Sequence, residues 1–367
     1  MLTDSVSSET RAKLARSVLK NNLQVKPGEH VIVEAWTHTL PWAVAFAREA
    51  RHIGAQVLVP YEDEEAYWDA VAHGEDRLLG KVAAHEWAAL AKSDVYIHMW
   101  GPGDRVRLNA LPGAQLNRLF GFNNQWYSTA LKNGVRGARL ELGRPYPTLV
   151  KAYKADEAAW MDQVIRGTMV SPDLLARTGA PIGRALARGK RIRIRDDRGT
   201  DLTLGLAGRP VRADYGRTTA AERKRPFNQL TTLPSGALTL ALEETVADGT
   251  IIGNRTCYYD DAIATGGVLS FRNGKLTHAE FETGGDRFDR EFKKGGKGRD
   301  RPGQLRIGLN PALNNTPQLE YRELGAVMVS PGNNQFYGGK NKSRFFGWVI
   351  NSGATVEVDG KPLALSR

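Results

Sequence analysis

Apolar positions in the first half of the chain follow two rhythms that take turns. Over residues 10–22 they fall at Leu14, Val18 and Leu19, one stripe of a helix. A Lys26-Pro27-Gly28-Glu29 turn follows, and then a β-branched run at 30–35 that reads as a short strand. Helical spacing returns over 41–52 and is stopped by Gly54, and 56–60 is the next strand. Residues 64–72 and 81–91 are helical, 95–99 is a third strand, 126–133 a helix closed by Gly134, and 138–142 a fourth strand. Strands separated by helices of this length predict parallel βαβ units and an open, layered α/β sheet.

Residues 156–168 and 172–188 are helical and bridge to a half of different character. After Gly189, short strand candidates at 191–195, 201–206, 238–242, 268–272, 305–308, 326–329 and 355–358 alternate with Gly, Asn, Asp and Pro. Asn273-Gly274 and Asp359-Gly360 read as hairpin turns, because a tight turn needs central residues that tolerate positive φ. The fold class expected is α/β with two domains. An N-terminal open α/β domain with its helical bridge covers 1–188, and a C-terminal β-rich α+β domain covers 189–367 and carries the presumed active site. The run KKGGKGRDRP at 293–302 reads as a solvated loop or flap.

Composition narrows the class. At 367 residues, 41% hydrophobic and 25% charged, the chain is large enough for two ordinary cores. Its single cysteine, Cys257, excludes an internal disulfide and fits a reducing cytoplasm. Residues 1–24 form a charged amphipathic segment without the apolar stretch of a secretory signal, and no run approaches a membrane span. The net charge of +11 is scattered, with no RNA-binding aromatic signature, so neither nucleic acid nor membrane is the expected partner.

Several motifs in order then carry a resemblance. Lys26-Pro27-Gly28-Glu29 leading into Glu34-Ala35, Pro234-Ser235-Gly236, and Glu243 followed by Gly249-Thr250-Ile251 resemble the aminopeptidase T family of metallopeptidases. Ile307-Gly308-Leu309-Asn310-Pro311, Leu324-Gly325, Gly332-Asn333-Asn334, Gly338-Gly339 and Val358-Asp359-Gly360 continue it across nearly the whole chain. The stretch Gly338-Gly339-Lys340-Asn341-Lys342 is similar to the 2,5-dihydroxypyridine dioxygenases of the same superfamily. The resemblance implies a homodimer with its active sites enclosed between domains. It also implies two metal ions held by glutamate, histidine and aspartate.

At the positions where those ligands would stand, this chain has Ala237, Gln304, Met328, Phe346 and Trp348. Catalytic metals want carboxylate, imidazole or thiolate donors. Beyond Gly189 only His278 and Cys257 offer nitrogen or sulfur donors of that kind. Carboxylates such as Glu243, Asp260 and Asp261 would suit a hard cation instead. No cofactor is expected.

Other chemistry concentrates between Ser330 and Trp348. In an extended conformation Lys340, Lys342 and Arg344 share one face, which would attract a carboxylate or enolate and stabilise an oxyanion. A basic edge strand that discourages sheet pairing would carry the same pattern. Tyr337 is a candidate general acid or base beside a lysine, and Gln304 is a candidate for reading an amide or heterocycle, with Asn333 and Asn334. Phe346 and Trp348 would make the pocket aromatic and suit a planar substrate. His38 and His98 follow or end strands at the carboxyl edge of the first sheet, where ligands of open α/β sheets bind.

The expectation is a metal-independent, hydrolase-like cytoplasmic enzyme acting on an anionic or aromatic small molecule. Its reaction would be hydrolysis of an amide or opening of a heterocyclic ring. A ligand-binding homologue without chemistry, and a metallo-aminopeptidase with unusual ligands, are the alternatives.

Overall fold

The structure is a computed structural model that describes residues 6–75, 77–206, 208–225, 228–259 and 262–365. The chain divides into two compact units, Met1–Pro172 with Gly216–Pro234, and Asp173–Tyr215 with Ser235–Arg367.

The first unit is built on a five-stranded sheet in the order Leu230–Leu233, Arg136–Leu140, Val95–Met99, His30–Val33, Gln56–Leu58. Every pairing in it is parallel. Its middle strands bury Val31, Ile32 and Val33 beside Val95, Ile97 and Met99, as a sheet covered on both faces requires. The helix Leu40–Ile53 ends where Gly54 takes φ 93°, a left-handed cap that glycine adopts without penalty. The helix Ser8–Ser17 packs on it and continues into a π-turn at Val18–Asn22. The edge strand Leu230–Leu233 was not anticipated. Its four residues return from a distant segment, and only the pairing with Arg136–Leu140 makes them a strand.

The second unit holds two large antiparallel sheets and a two-stranded antiparallel ribbon, Cys257–Tyr258 with Ile263–Ala264. The seven-stranded one runs Lys275–Glu280, Val268–Arg272, Ala247–Ile252, Asp201–Gly205, Arg191–Arg195, Thr355–Val358, Lys361–Pro362. Both expected hairpin turns are present, with Asn273 and Gly274 at φ 50° and 68° and Asp359 and Gly360 at 50° and 76°. Arg191–Arg195 alternates exposed arginines with buried Ile192 and Ile194, the signature of a half-buried strand.

The five-stranded sheet of this unit runs Arg212–Asp214, Ala237–Ala241, Pro302–Gly308, Ala326–Pro331, Val349–Ser352. Its register separates two faces. Leu238, Leu240, Leu305, Ile307, Val327, Val329 and Val349 form one, all fully buried. The helix Pro172–Arg188 lies on that side, and a Cβ on Gly179 would come 2.5 Å from Leu309. The opposite face carries the polar positions.

A helix at Gly285–Lys294 was not expected. It seats Phe288 against Phe281 and Phe345, so the basic run begins as a helix end and continues as a turn over 297–300. Among the described residues no helix is long and apolar enough to cross a membrane.

Candidate active site

In an antiparallel ladder, residues directly opposite one another point to the same face, and the face repeats every second residue. Thr239 lies opposite Arg306, Arg306 opposite Met328, and Met328 opposite Ile350. Ala237 is paired with Gly308, and Gln304 with both Ala241 and Ser330. Ala237, Gln304 and Met328 therefore share one face, and Arg306 stands at its centre. Phe346 and Trp348 pack against Met328 from the loop beyond.

The Arg306 guanidinium is half-buried and surrounded by rings. It lies 4.7 Å from the centroid of Tyr321, 5.5 Å from Phe346 and 6.0 Å from Tyr337, distances at which a ring quadrupole attracts a cation. Nη2 donates to Gln304 Oε1 at 3.2 Å, and the buried Nε has no hydrogen-bond partner. Trp348 extends the aromatic wall, 5.4 Å from Phe346 and 4.6 Å from Tyr259.

Glu320 lies behind that wall, 1% exposed. Its Oε1 accepts from Trp348 Nε1 at 3.3 Å and from the Tyr258 backbone N–H at 3.4 Å, while Oε2 has no partner. Burial raises its pKa to about 8, against smaller opposing effects of these hydrogen bonds and of Arg306. Glu320 is thus mostly neutral at pH 7 and does not cancel the Arg306 charge.

This donor set does not fit a transition metal. Ala237 and Phe346 offer no ligand atom, and Met328 offers only a thioether. The Gln304 amide already donates to Asn333 O at 2.9 Å while accepting from Arg306. Among the described residues no three His, Cys, Asp or Glu side chains come together as a metal site. Glu243 stands apart, its Oε1 accepting from Thr245 at 3.4 Å and its side chain close to Gly205. Asp260 and Asp261 lie outside the described residues. Cys257 is buried with Sγ 3.4 Å from Trp348 O, and burial pushes its thiol pKa up, which leaves it a poor nucleophile.

Aminopeptidase T (AmpT) from Thermus thermophilus superposes with a TM-score of 0.69 at 19% identity, covering 95% of each chain. This chain has the AmpT fold. The 2,5-dihydroxypyridine dioxygenase from Pseudomonas putida KT2440 shares it, with a TM-score of 0.60 at 17% identity over 97% of this chain and 96% of that one. No protein-family model matches the sequence, and no curated protein does. Both families that the sequence motifs resemble are therefore represented among solved structures of this fold, and in this AmpT fold the suspected ligand positions meet around an arginine.

The remaining sequence-predicted residues separate into three groups. Asn334, fully buried, donates to Leu242 O and Glu244 Oε1 and accepts from the Asn341 backbone, while Asn333 donates to Ser343 O. Both amides hold the shape of the loop. Lys340, Lys342 and Arg344 are exposed, alternate with buried Asn341, Ser343 and Phe345, and line an open cleft that excludes Gln304, Tyr337, Phe346 and Trp348. His38 and His98 belong to the first unit. His38 is buried, its Nε2 3.0 Å from Trp100 O and its Nδ1 3.8 Å from Glu64, and burial lowers its pKa. His98 Nδ1 is 2.9 Å from Glu34. Burial opposes ionisation of Glu34, yet His98, Tyr96 and Trp36 together bring its pKa to about 2.

Sequence reasoning passed over Arg306, Tyr321 and Glu320. A period-two reading of Gln304-Leu305-Arg306-Ile307-Gly308 marks Arg306 as sharing a face with Gln304, so that signal was present. Burial of Glu320 leaves no such trace.

Proposed function

We propose that the protein is a metal-independent, hydrolase-like enzyme that cleaves an amide or lactam in a planar, anionic small molecule. The observation that carries this reading is the Arg306 guanidinium at the centre of the sheet face where the suspected metal-ligand positions converge. A fixed cation in a partly desolvated, aromatic setting stabilises an oxyanion as it forms, the electrostatic part of what a Lewis acid supplies. Tyr321, Phe346 and Tyr337 around it suit a flat substrate.

In the proposed reaction water oxygen bonds to the carbonyl carbon, and Arg306 holds the negative charge that gathers on the carbonyl oxygen. The C–N bond then breaks, and the proton lost by water reaches the leaving nitrogen through the Tyr337 hydroxyl. Hydrolytic opening of a lactam ring is the same step with both products tethered, and it needs no oxidant. Neutral Glu320 leaves the guanidinium free to act on the substrate.

Incubating chelator-treated protein with a panel of planar amides and lactams that carry a carboxylate tests this reading. Turnover that persists in chelator and falls at least ~100-fold in Tyr337→Phe, the size of a lost proton-transfer group, is expected. Binding of panel members without any product would instead identify a ligand-binding protein on the same scaffold.

A further inference from the structure

The open cleft beside Lys340, Lys342 and Arg344 is separate from the Arg306 face in its lining and in its chemistry. It has a volume of about 910 Å³. Its second wall comes from far along the chain and contributes Lys275, Lys294, Lys297 and Arg301. Among the described residues the lining thus holds seven basic residues and two acidic ones, Glu244 and Asp300.

One of those carboxylates is already neutralised. Glu244 is 2.5 Å from Arg209 and also accepts from Asn334 and the Lys340 backbone. Burial opposes its ionisation, but these partners bring its pKa down to about 2. Lys294 reaches Glu291 at 3.5 Å, and Arg301 donates to Gly274 O. Among the described residues no carboxylate pairs with Lys275, Lys297, Lys340, Lys342 or Arg344. Like charges gathered in one concavity repel each other, and a bound anion relieves that repulsion.

The backbone adds directed donors. Gly296 and Gly298 take φ 70° and 83° on either side of Lys297. Among the described residues none accepts from the backbone N–H of Gly296, Lys297 or Gly298. Successive free N–H groups in a turn with left-handed residues make a concavity that binds tetrahedral anions. The turn is also anchored. Asn341 Nδ2 donates to Gly298 O at 2.7 Å, and a Cβ on Gly298 would come 2.4 Å from Asn341 Oδ1. The Arg344 N–H and the Ser343 hydroxyl both donate to Gly295 O, which ties the two walls together.

From this arrangement we infer that the cleft binds a small phosphate-bearing molecule, with phosphate oxygens at the Gly296–Gly298 turn and the lysine and arginine side chains closing around them. The volume falls within the range of small-molecule sites. Among the described residues the lining contains no aromatic ring on which a nucleobase would stack, so a polyphosphate group rather than a nucleic-acid strand fits the chemistry.

Calorimetric titration of the full-length protein with inorganic tripolyphosphate tests the inference, with citrate and a single-stranded oligonucleotide as comparison ligands. The wild type is expected to bind tripolyphosphate at least ~10-fold more tightly than citrate, since the turn presents donors suited to phosphate. Lys342→Ala with Arg344→Ala, both exposed, should weaken binding ~10–100-fold, as expected for the loss of charge-assisted contacts. Lys297→Ala, on the opposite wall, should weaken it as well. Equal binding by the wild type and the double variant overturns the inference. So does citrate binding as tightly as tripolyphosphate, or an oligonucleotide that binds more tightly and is equally weakened by the same changes.

Discussion

Replacing Arg306 with methionine is expected to weaken binding of a planar carboxylate such as benzoate by ~10–100-fold, the usual value of a charge-assisted hydrogen bond in a partly desolvated site. Arg306→Lys should fall between the two, because an ammonium keeps the charge but loses the planar fork and its packing on rings. Stability should not follow affinity. The buried Nε is unpaired, and a methionine stem retains the contacts with Tyr321 and Phe346. Exchanging a buried, incompletely bonded charge for an apolar side chain of similar length is often neutral or stabilising. Isothermal titration and thermal melting of the three proteins check both statements. Unchanged benzoate affinity in Arg306→Met would remove the guanidinium from the site.

Raising the pH should destabilise the wild type relative to Glu320→Gln. An unfolded glutamate ionises near 4.5, whereas burial holds Glu320 to about 8. Between those values the folded state keeps a proton that the unfolded state has lost, so stability falls as pH rises, and the loss is complete above about 8. From pH 4.5 to 7 the difference amounts to about 3 kcal/mol. Glutamine cannot ionise, and its stability should be flatter over that range whatever its offset. Benzoate affinity should fall in the wild type above pH 8, where a Glu320 carboxylate begins to compete for Arg306, and should stay level in the variant. Urea denaturation and titration at pH 4.5, 7 and 8.5 measure both effects. Parallel stability curves would mean that Glu320 ionises in the folded protein as it does in the unfolded chain.

Much of the fold was legible in the chain because its signals are local. Asn273-Gly274 and Asp359-Gly360 announce hairpins through the positive φ that both pairs adopt. The alternation of arginine and isoleucine in Arg191–Arg195 is that of a half-buried strand, and it is one. The strand Leu230–Leu233 was not legible, since its partner lies some ninety residues earlier and only the pairing defines it. The helix Gly285–Lys294 was obscured by its seven charged residues, with Phe288 as its one buried side chain.

The candidate site divides along the same line. That Lys340, Lys342 and Arg344 point one way follows from their spacing, but the lysines opposite them come from two other segments. The meeting of Gln304, Met328, Phe346 and Trp348 could be anticipated only by resemblance, whereas the alternation of Gln304, Leu305, Arg306 and Ile307 already places Arg306 on the face of Gln304. Glu320 acquires its raised pKa from the walls around it, which no local pattern encodes.

Elemental analysis of freshly purified, untagged protein, prepared without chelator, bears most directly on whether a guanidinium has taken the place of a metal on this sheet face. Zinc, iron, manganese and cobalt together should amount to far less than one ion per chain, and adding each of them should leave both stability and turnover unchanged. A full equivalent of any one, retained through dialysis and lost in a Gln304→Ala or Met328→Ala variant, would contradict it.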